Sequence, residues 1–251
     1  MAILVETSQR VRVISLNRPD RHNALDDPTL DELPVALADA SADPAIDVIL
    51  LRGEGRSFCS GRDMSVIDSG ESGIDNARYA NNYEYIRAAQ DHRLALLGSA
   101  KPVVAALKGH VIGGGLELAM AADIRIASTD SKLSLPEVLY GISTDTGGAV
   151  LATILAGPSR AKLMLMTGRR IEAQQALAWG LVDEIVEPEA LDEAALALCH
   201  EIAQRNNPAV QISKQLVDQT WEGAIKNGLR SELLAQVALF ADPAFAARAD
   251  A

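Results

Sequence analysis

Two glutamates, Glu117 and Glu137, occupy settings in which a carboxylate needs an explanation. Glu117 follows three glycines, residues 113–115, within an apolar run, and Glu137 is bracketed by proline and aliphatic residues. A buried carboxylate is costly unless it is paired or functional. Two carboxylates in one apolar site divide into a general acid and a general base, because their surroundings differ. The pair therefore predicts acid–base catalysis, and an ion pair to Arg125 or Lys132 is the structural alternative.

Two other segments have a composition that presents backbone to a ligand. Glycines 113–115 precede a predicted helix, where free N–H groups can stabilise an oxyanion on a carbonyl. The spacings typical of dinucleotide-binding and phosphate-binding loops are absent, and close helix–strand packing is the alternative explanation. Segment 58–64 follows a predicted buried strand, 48–52, and also contains small residues. Its alternative explanation is an ordinary exit from a strand into a loop. Its Cys59 has no histidine nearby and is expected to pack as a small apolar residue.

Alternating strands and helices must position these residues, which predicts an α/β fold. Asp26 is expected to cap a helix that begins at 27–28. Another helix should begin at the three glycines, and residues 65–82 are expected to form a flexible loop or a short helix over a site. The strands are predicted over 3–7, 11–16, 48–52, 102–107 and 123–127, and C-terminal helices over 191–204, 209–226 and 231–240. We therefore divide the chain into a core, 1–190, and a C-terminal helical region, 191–251.

Composition narrows the function further. The 251 residues are 48% hydrophobic and 23% charged, enough for a substantial core, and the net charge of −11 argues against nucleic-acid binding. The two cysteines imply no disulfide framework, and the four scattered histidines give no support for a metal site. The N-terminus lacks the pattern of a signal peptide, and no apolar run is long enough to span a membrane. A cytoplasmic protein is expected.

Six motifs, in order along the chain, resemble the crotonase, or enoyl-CoA hydratase/isomerase, superfamily, and most closely its enoyl-CoA hydratase branch. Each motif alone is weak, but their order over nearly the whole chain is specific. The motifs are 17–19 with 23–25, 58–63, 113–117, 135–137, 141–148, and 165–168 with 176–182.

The resemblance implies a site for an acyl-CoA thioester. Backbone N–H groups of Arg62 and Gly114 would hold the thioester oxygen, and Glu117 and Glu137 would be the catalytic carboxylates. We expect Glu137 to exchange protons with carbon and Glu117 to activate water. The CoA groove would be lined by Arg21, His22, Ala24, Ser60, Gly61, Asp63, Met64 and Ser65.

The resemblance also implies architecture and partners. The family fold is a spiral of ββα units with C-terminal helices that build a homotrimer, often paired into a hexamer. No metal is implied, and no cofactor beyond the CoA of the substrate. The implied role is fatty-acid β-oxidation, without nucleic-acid or membrane partners.

Three positions depart from the family pattern. Asp145 stands where many hydratases have a glycine, and an acid there resembles branches that move double bonds. Its alternative role is to cap the helix that follows. Arg62 and Ser65 replace the Ala and Lys of many relatives, so contacts with the CoA phosphates are expected to differ. Contacts from the C-terminus are also expected to differ, because it lacks the usual basic ending.

Three hypotheses follow. The first is an enoyl-CoA hydratase that adds water to a 2-enoyl-CoA. The second is an enoyl-CoA or dienoyl-CoA isomerase that uses Glu137 and Asp145. The third is a catalytically silent acyl-CoA-binding protein, against which the retention of both glutamates argues. The acyl chain of the substrate is left open by the sequence.

Overall fold

A six-stranded sheet forms the centre of the computed structural model, which describes residues 1–63, 82–205 and 207–240. The strand order is β1-β2-β3-β4-β6-β9; β1 is antiparallel to β2, and the remaining neighbours are parallel. A smaller sheet has the order β5-β7-β8. The strands are β1 Ile3–Ser8, β2 Val11–Leu16, β3 Val48–Gly53, β4 Val103–Leu107, β5 His110–Ile112, β6 Ile124–Ser128, β7 Lys132–Ser134, β8 Ile171–Glu172 and β9 Glu184–Val186.

Helices cover the sheets. They are α1 Asp27–Ala42, α2 Asn82–Leu97, α3 Gly114–Met120, α4 Gly148–Ala156, α5 Pro158–Thr167, α6 Ala173–Trp179, α7 Leu191–Ala203 and α8 Asn207–Phe240, with 3-10 turns at Pro19–Arg21, Glu137–Tyr140 and Pro188–Ala190. Among the described residues, none of these helices is both long and apolar enough to cross a membrane.

The predicted central strands are present because their sequences suit burial on both faces. Val48 to Leu51 in β3 and all five residues of β4 are buried. One face of the sheet packs against α7 through Leu191, Ala195 and Cys199. The opposite face belongs to a larger core that includes α1 and α3.

Local signals for helix starts agree with the structure. Asp26 is the N-cap of α1, and its carboxylate accepts a hydrogen bond from Thr29 N at 3.0 Å. α3 begins at the second of the three glycines, as expected from the sequence. The predicted loop over 65–82 lies outside the described residues, except for its last residue, which begins α2.

The C-terminal prediction needs one correction. Residues 209–226 and 231–240, predicted as separate helices, belong to the single helix α8. Gly228 lies between them and is kept in the helix by tertiary packing: a Cβ there would lie 2.5 Å from Val150 Cβ of α4. The glycine therefore marks a close helix crossing rather than a helix end.

Candidate active site

Two backbone segments meet where the oxyanion-binding groups were predicted. Cys59 N donates to His110 O at 2.9 Å, and Ile112 N donates to Cys59 O at 3.0 Å. Gly61 has a φ of 89°, and a Cβ there would lie 3.5 Å from Gly114 N. The fold thus brings the backbone around Arg62 next to the first turn of α3.

The three glycines of residues 113–115 serve different purposes. Gly113 has a φ of 53°, and a Cβ there would lie 2.9 Å from Glu137 Oε1. A Cβ at Gly115 would lie 2.6 Å from Cys59 O. Close helix–strand packing, the alternative explanation for these glycines, therefore applies to Gly115, whereas Gly113 leaves room for a carboxylate.

Glu117 is held by donors from the loop before α4. It is 2% exposed, and its Oε1 accepts hydrogen bonds from Thr146 N at 3.1 Å and Gly148 N at 2.8 Å. Its Oε2 accepts a hydrogen bond from the Thr146 hydroxyl. A carboxylate, which only accepts, matches these three donors.

Glu137 has a different environment. It begins the 3-10 turn Glu137–Tyr140 and is partly buried, and its buried Oε2 has no hydrogen-bond partner among the described residues. Burial first, and then the nearby charge of Glu117, raise the pKa of Glu137 to about 8. These surroundings therefore favour the protonated form of this carboxyl group.

An ion pair to Arg125 or Lys132, the structural alternative for the two glutamates, is not seen among the described residues. Arg125 instead binds Asp183, with Nη2 at 2.9 Å from Asp183 Oδ2, and donates to the backbone of Ala122. No ion pair joins Glu117 or Glu137 to a cation among the residues that the structure describes.

Asp145 lies in the same acidic cluster and does not cap α4. The N-cap position is Gly147, and the N–H groups of residues 147–150 donate to Glu117 and Glu232. The helix N-terminus is occupied by glutamates from elsewhere in the chain, so the capping role considered for Asp145 is wrong. Burial and Glu117 raise the pKa of Asp145 to about 7, against the opposing effect of Arg62 and Arg93.

Sequence reasoning missed two charged residues of this cluster. Arg93 on α2 is 2% exposed and donates from Nη2 to Gly114 O at 3.0 Å. Glu232 on α8 is 6% exposed and accepts hydrogen bonds from the backbone at the start of α4. A signal for Glu232 was available, because it shares one helical face with Leu229, Leu233 and Gln236, all of which are buried.

The predicted CoA-groove residues form a connected loop structure. His22 and Asn23 have positive φ, and Ser60 N donates to His22 O at 3.0 Å. Ser60 Oγ lies 3.4 Å from Arg21 O. These contacts join the N-terminal motif to segment 58–63.

The remaining groove residues that the structure describes, Ala24, Gly61 and Asp63, are buried. Ala24 is buried, and its carbonyl accepts from Arg18 Nη1 at 2.6 Å. Asp63 is buried and pairs with Arg18 at 2.8 Å. This ion pair ties the two parts of the loop together. Met64 and Ser65 lie outside the described residues.

The arrangement combines the parts needed for acid–base chemistry beside a carbonyl. A carboxyl group with a raised pKa and a carboxylate held by three donors lie around the Gly113–Gly114 peptide. Backbone N–H groups there can stabilise negative charge developing on oxygen. Within the described part of the chain, no group of three or more His, Cys, Asp or Glu side chains has an arrangement suited to a metal ion.

Comparison with known proteins agrees with this chemistry. Residues 6–245 match the family described as enoyl-CoA hydratase/isomerase. A probable enoyl-CoA hydratase of Rhizobium meliloti is 35% identical over 95% of this chain and 90% of its own length. A short-chain-enoyl-CoA hydratase of Clostridium acetobutylicum is 34% identical over 92% of this chain and 86% of its own.

A solved structure extends the likeness to three dimensions. The crystal structure of an enoyl-CoA hydratase/isomerase from Xanthobacter autotrophicus Py2 superimposes with a TM-score of 0.87 and 30% sequence identity. The match covers 95% of this chain and 87% of the other. This confirms the α/β spiral fold that the motifs predicted.

Proposed function

Because this chain belongs to the enoyl-CoA hydratase/isomerase family of crotonase-fold enzymes, we propose that it adds water across the double bond of a 2-enoyl-CoA thioester. Glu117 and Glu137 are the proposed catalytic residues, and the backbone N–H groups of Arg62 and Gly114 form the proposed oxyanion hole. CoA belongs to the substrate, and the proposed reaction needs no other cofactor.

One observation carries the proposal: the two carboxylates lie around the peptide that bears the Gly114 N–H. A Cβ at Gly113 would lie 2.9 Å from Glu137 Oε1, and a Cβ at Gly114 would lie 3.9 Å from Glu117 Oε2. A thioester oxygen bound at Gly114 N would therefore place the neighbouring carbons within reach of both acids.

The proposed chemistry follows from their different environments. Glu117 accepts a proton from water as its oxygen bonds to the β-carbon, and the π electrons move toward the thioester oxygen. Two preorganised N–H donors stabilise that charge by about 3 kcal/mol each. Glu137 then delivers its proton to the α-carbon, which completes the addition of one water molecule.

The CoA portion is proposed to lie along the loop that joins the N-terminal motif to segment 58–63. Its lining would comprise Arg21, His22, Ala24, Ser60, Gly61 and Asp63, together with Met64 and Ser65. Support comes from the hydrogen bonds that join residues 21–22 to Ser60. The side chain of Asp63, already paired with Arg18, would act by holding the loop.

A panel of 2-enoyl, 3-enoyl and 3,5-dienoyl CoA thioesters tests the activity. Hydration of a 2-enoyl-CoA removes its enoyl absorbance and increases the product mass by one water molecule. A purified protein that leaves crotonyl-CoA and longer 2-enoyl-CoAs unchanged would exclude hydration.

Double-bond isomerisation through Glu137 and Asp145 is the second candidate. It is favoured by the position of Asp145, which does not cap α4 and interacts electrostatically with Glu137. The same panel separates the two activities, because isomerisation moves the double bond without a change in mass. A severe loss of activity in Asp145→Asn with a 3-enoyl or dienoyl thioester would support the isomerase.

We also propose that the helical region 191–251 mediates assembly into a homotrimer or a dimer of trimers. Apolar side chains on the first half of α8 are exposed, with Ile212 56%, Leu216 62% and Trp221 47% exposed. Exposed apolar groups of this size on one helix are typical of an interface. Light scattering of the wild-type protein and of Leu216→Lys tests the assembly: a wild-type monomer would exclude it.

A further inference from the structure

The C-terminal helix α8 reaches the active-site loop through one buried face. Gln236 Oε1 accepts a hydrogen bond from Ser143 N at 3.0 Å. Gln90 Nε2 donates to both Leu229 O, at 2.8 Å, and Asp145 O, at 2.7 Å. The loop that contains Asp145 is therefore attached to α8 at two places besides the bonds of Glu232.

Glu232 and Glu117 share one run of backbone donors. Glu232 accepts from Gly147 N at 2.8 Å, Ala149 N at 3.0 Å and Val150 N at 3.1 Å. Glu117 accepts from Gly148 N, which lies between Gly147 and Ala149, and from Thr146 N, which comes just before Gly147. Five consecutive N–H groups, 146–150, thus serve two buried carboxylates that come from different helices.

We propose that Glu232 is a positioning residue for the reaction, which fixes the start of α4 so that Thr146 and Gly148 hold Glu117 in its catalytic orientation. The inference rests on the proposed function, in which Glu117 activates water. The inference is based on the order of the N–H groups, because those bound by Glu232 are neighbours of those bound by Glu117 along one short segment. A movement of the N–H groups bound by Glu232 would therefore also displace those that bind Glu117.

A second acid is an unusual choice for a purely structural cap. A serine or threonine hydroxyl can satisfy an N-terminal donor without placing another charge near Glu117. Three backbone N–H groups and the helix dipole favour a carboxylate at this place. The ionised form of Glu232 also raises the pKa of Glu137 and so favours the protonated acid that the proposed mechanism uses.

The charged surroundings of Glu232 are defined by several elements. Glu117 on α3 and Asp145 in the loop before α4 raise its pKa, after the larger effect of burial, and the bonds from Gly147 and Val150 lower it. Arg62 and Arg93 are the cations that act on the neighbouring Asp145. A change at Glu232 therefore alters the field at the other acids as well as the geometry of the loop.

Glu232→Gln tests the proposal, with Glu222→Gln as the matched control. Glu222 lies on the same helix, is 57% exposed and pairs only with Lys226 among the described contacts. We expect Glu232→Gln to lower kcat by about tenfold to 100-fold, as small misplacements of catalytic groups do, with KM nearly unchanged. The alkaline limb of its pH–rate profile should move to lower pH.

A shorter acid separates geometry from charge. Glu232→Asp retains an ionisable carboxyl group but withdraws it by one methylene group. We expect its kcat to fall while its alkaline limb stays close to that of the wild type. This variant also keeps the proposal testable if Glu232→Gln does not fold.

Amide hydrogen exchange at residues 146–150 provides a readout independent of turnover. Faster exchange in Glu232→Gln than in Glu222→Gln, together with the loss of kcat, supports the proposal. Normal kcat and an unchanged pH profile in both Glu232 variants overturn it, whatever the exchange shows. A wild type inactive on every thioester would refute the proposed function instead, and unchanged exchange in Glu232→Gln would then refute the positioning of the loop.

Discussion

The surroundings of Glu117 and Glu137 differ more than their shared residue type suggests. Glu117, on α3, accepts three hydrogen bonds from Thr146 and Gly148. Glu137, on a 3-10 turn, keeps one buried oxygen without a partner among the described residues. One carboxylate is stabilised by donors, and the pKa of the other is raised by burial and by its neighbour.

The difference in surroundings supports the separate roles that we propose for two identical side chains. Surroundings that donate hydrogen bonds to a carboxyl group favour its ionised form. Buried surroundings that donate none favour its neutral form. The comparison predicts that the same substitution, glutamate to glutamine, has opposite effects on stability at the two positions.

Glu137→Gln should have the largest effect on activity. Loss of the proton donor is expected to lower the hydration rate by about 10²- to 10⁴-fold. Stability should be retained or increase, because an amide replaces a poorly satisfied buried carboxyl group. Steady-state rates and thermal unfolding measure the two effects. Glu184→Gln, an exposed position on β9, is the control, and full activity in Glu137→Gln would remove the assigned role.

Glu117→Gln should lower both activity and stability. The amide NH₂ would face donors that now bind a carboxylate, and an unsatisfied buried donor costs about 1–3 kcal/mol. Chemical denaturation compared with Glu184→Gln measures the loss in the free energy of unfolding. An unchanged unfolding midpoint would contradict the hydrogen-bond difference between the two acids.

The pH dependence sharpens the comparison without a mutation. The rate should fall as pH rises through about 8, because Glu137 then loses its proton. Between pH values equal to its ordinary pKa and about 8, Glu137 binds more protons in the folded state than in the unfolded state. Its contribution to stability is therefore complete at low pH and is lost as pH rises through that window. Rate and unfolding profiles from pH 5 to pH 9 check both signs, and a rate that continues to increase above pH 8 would contradict the assignment.

Asp145→Asn should have the smallest effect on hydration. Asp145 does not cap α4, and its charge adds to the raised pKa of Glu137. Hydration should stay close to the wild-type rate, with the alkaline limb displaced to lower pH. A large loss of hydration would instead place Asp145 among the groups that act directly on the substrate.

Local patterns predicted much of the scaffold. Buried strands such as β3 were visible because burial on both faces requires a continuous apolar run. The Asp26 cap and the glycine start of α3 were visible because helix termini need particular neighbours. The core at 1–190 and the helical region at 191–251 remain a predicted division.

Contacts between distant segments were beyond such patterns. Glu232 binds Gly147 across 85 positions, and Arg93 binds Gly114 across 21. Asp145 seemed suited to capping because its position just before α4 satisfies the local rule, yet α3 and α8 supply the acids that occupy that helix start. The two helices predicted over 209–226 and 231–240 form the single helix α8, which packs across α4 at Gly228.

The sequence by itself determined the family and the α/β architecture and singled out the two proposed catalytic acids, because motifs, apolar periodicity and carboxylates in apolar runs are local properties. Only the tertiary structure decided which donors each acid receives, that Asp145 is not a cap, and that Glu232 belongs to the site. Hydrogen bonding, burial and the field of neighbouring charges depend on segments that meet only after folding, and these distinguish Glu117 from Glu137.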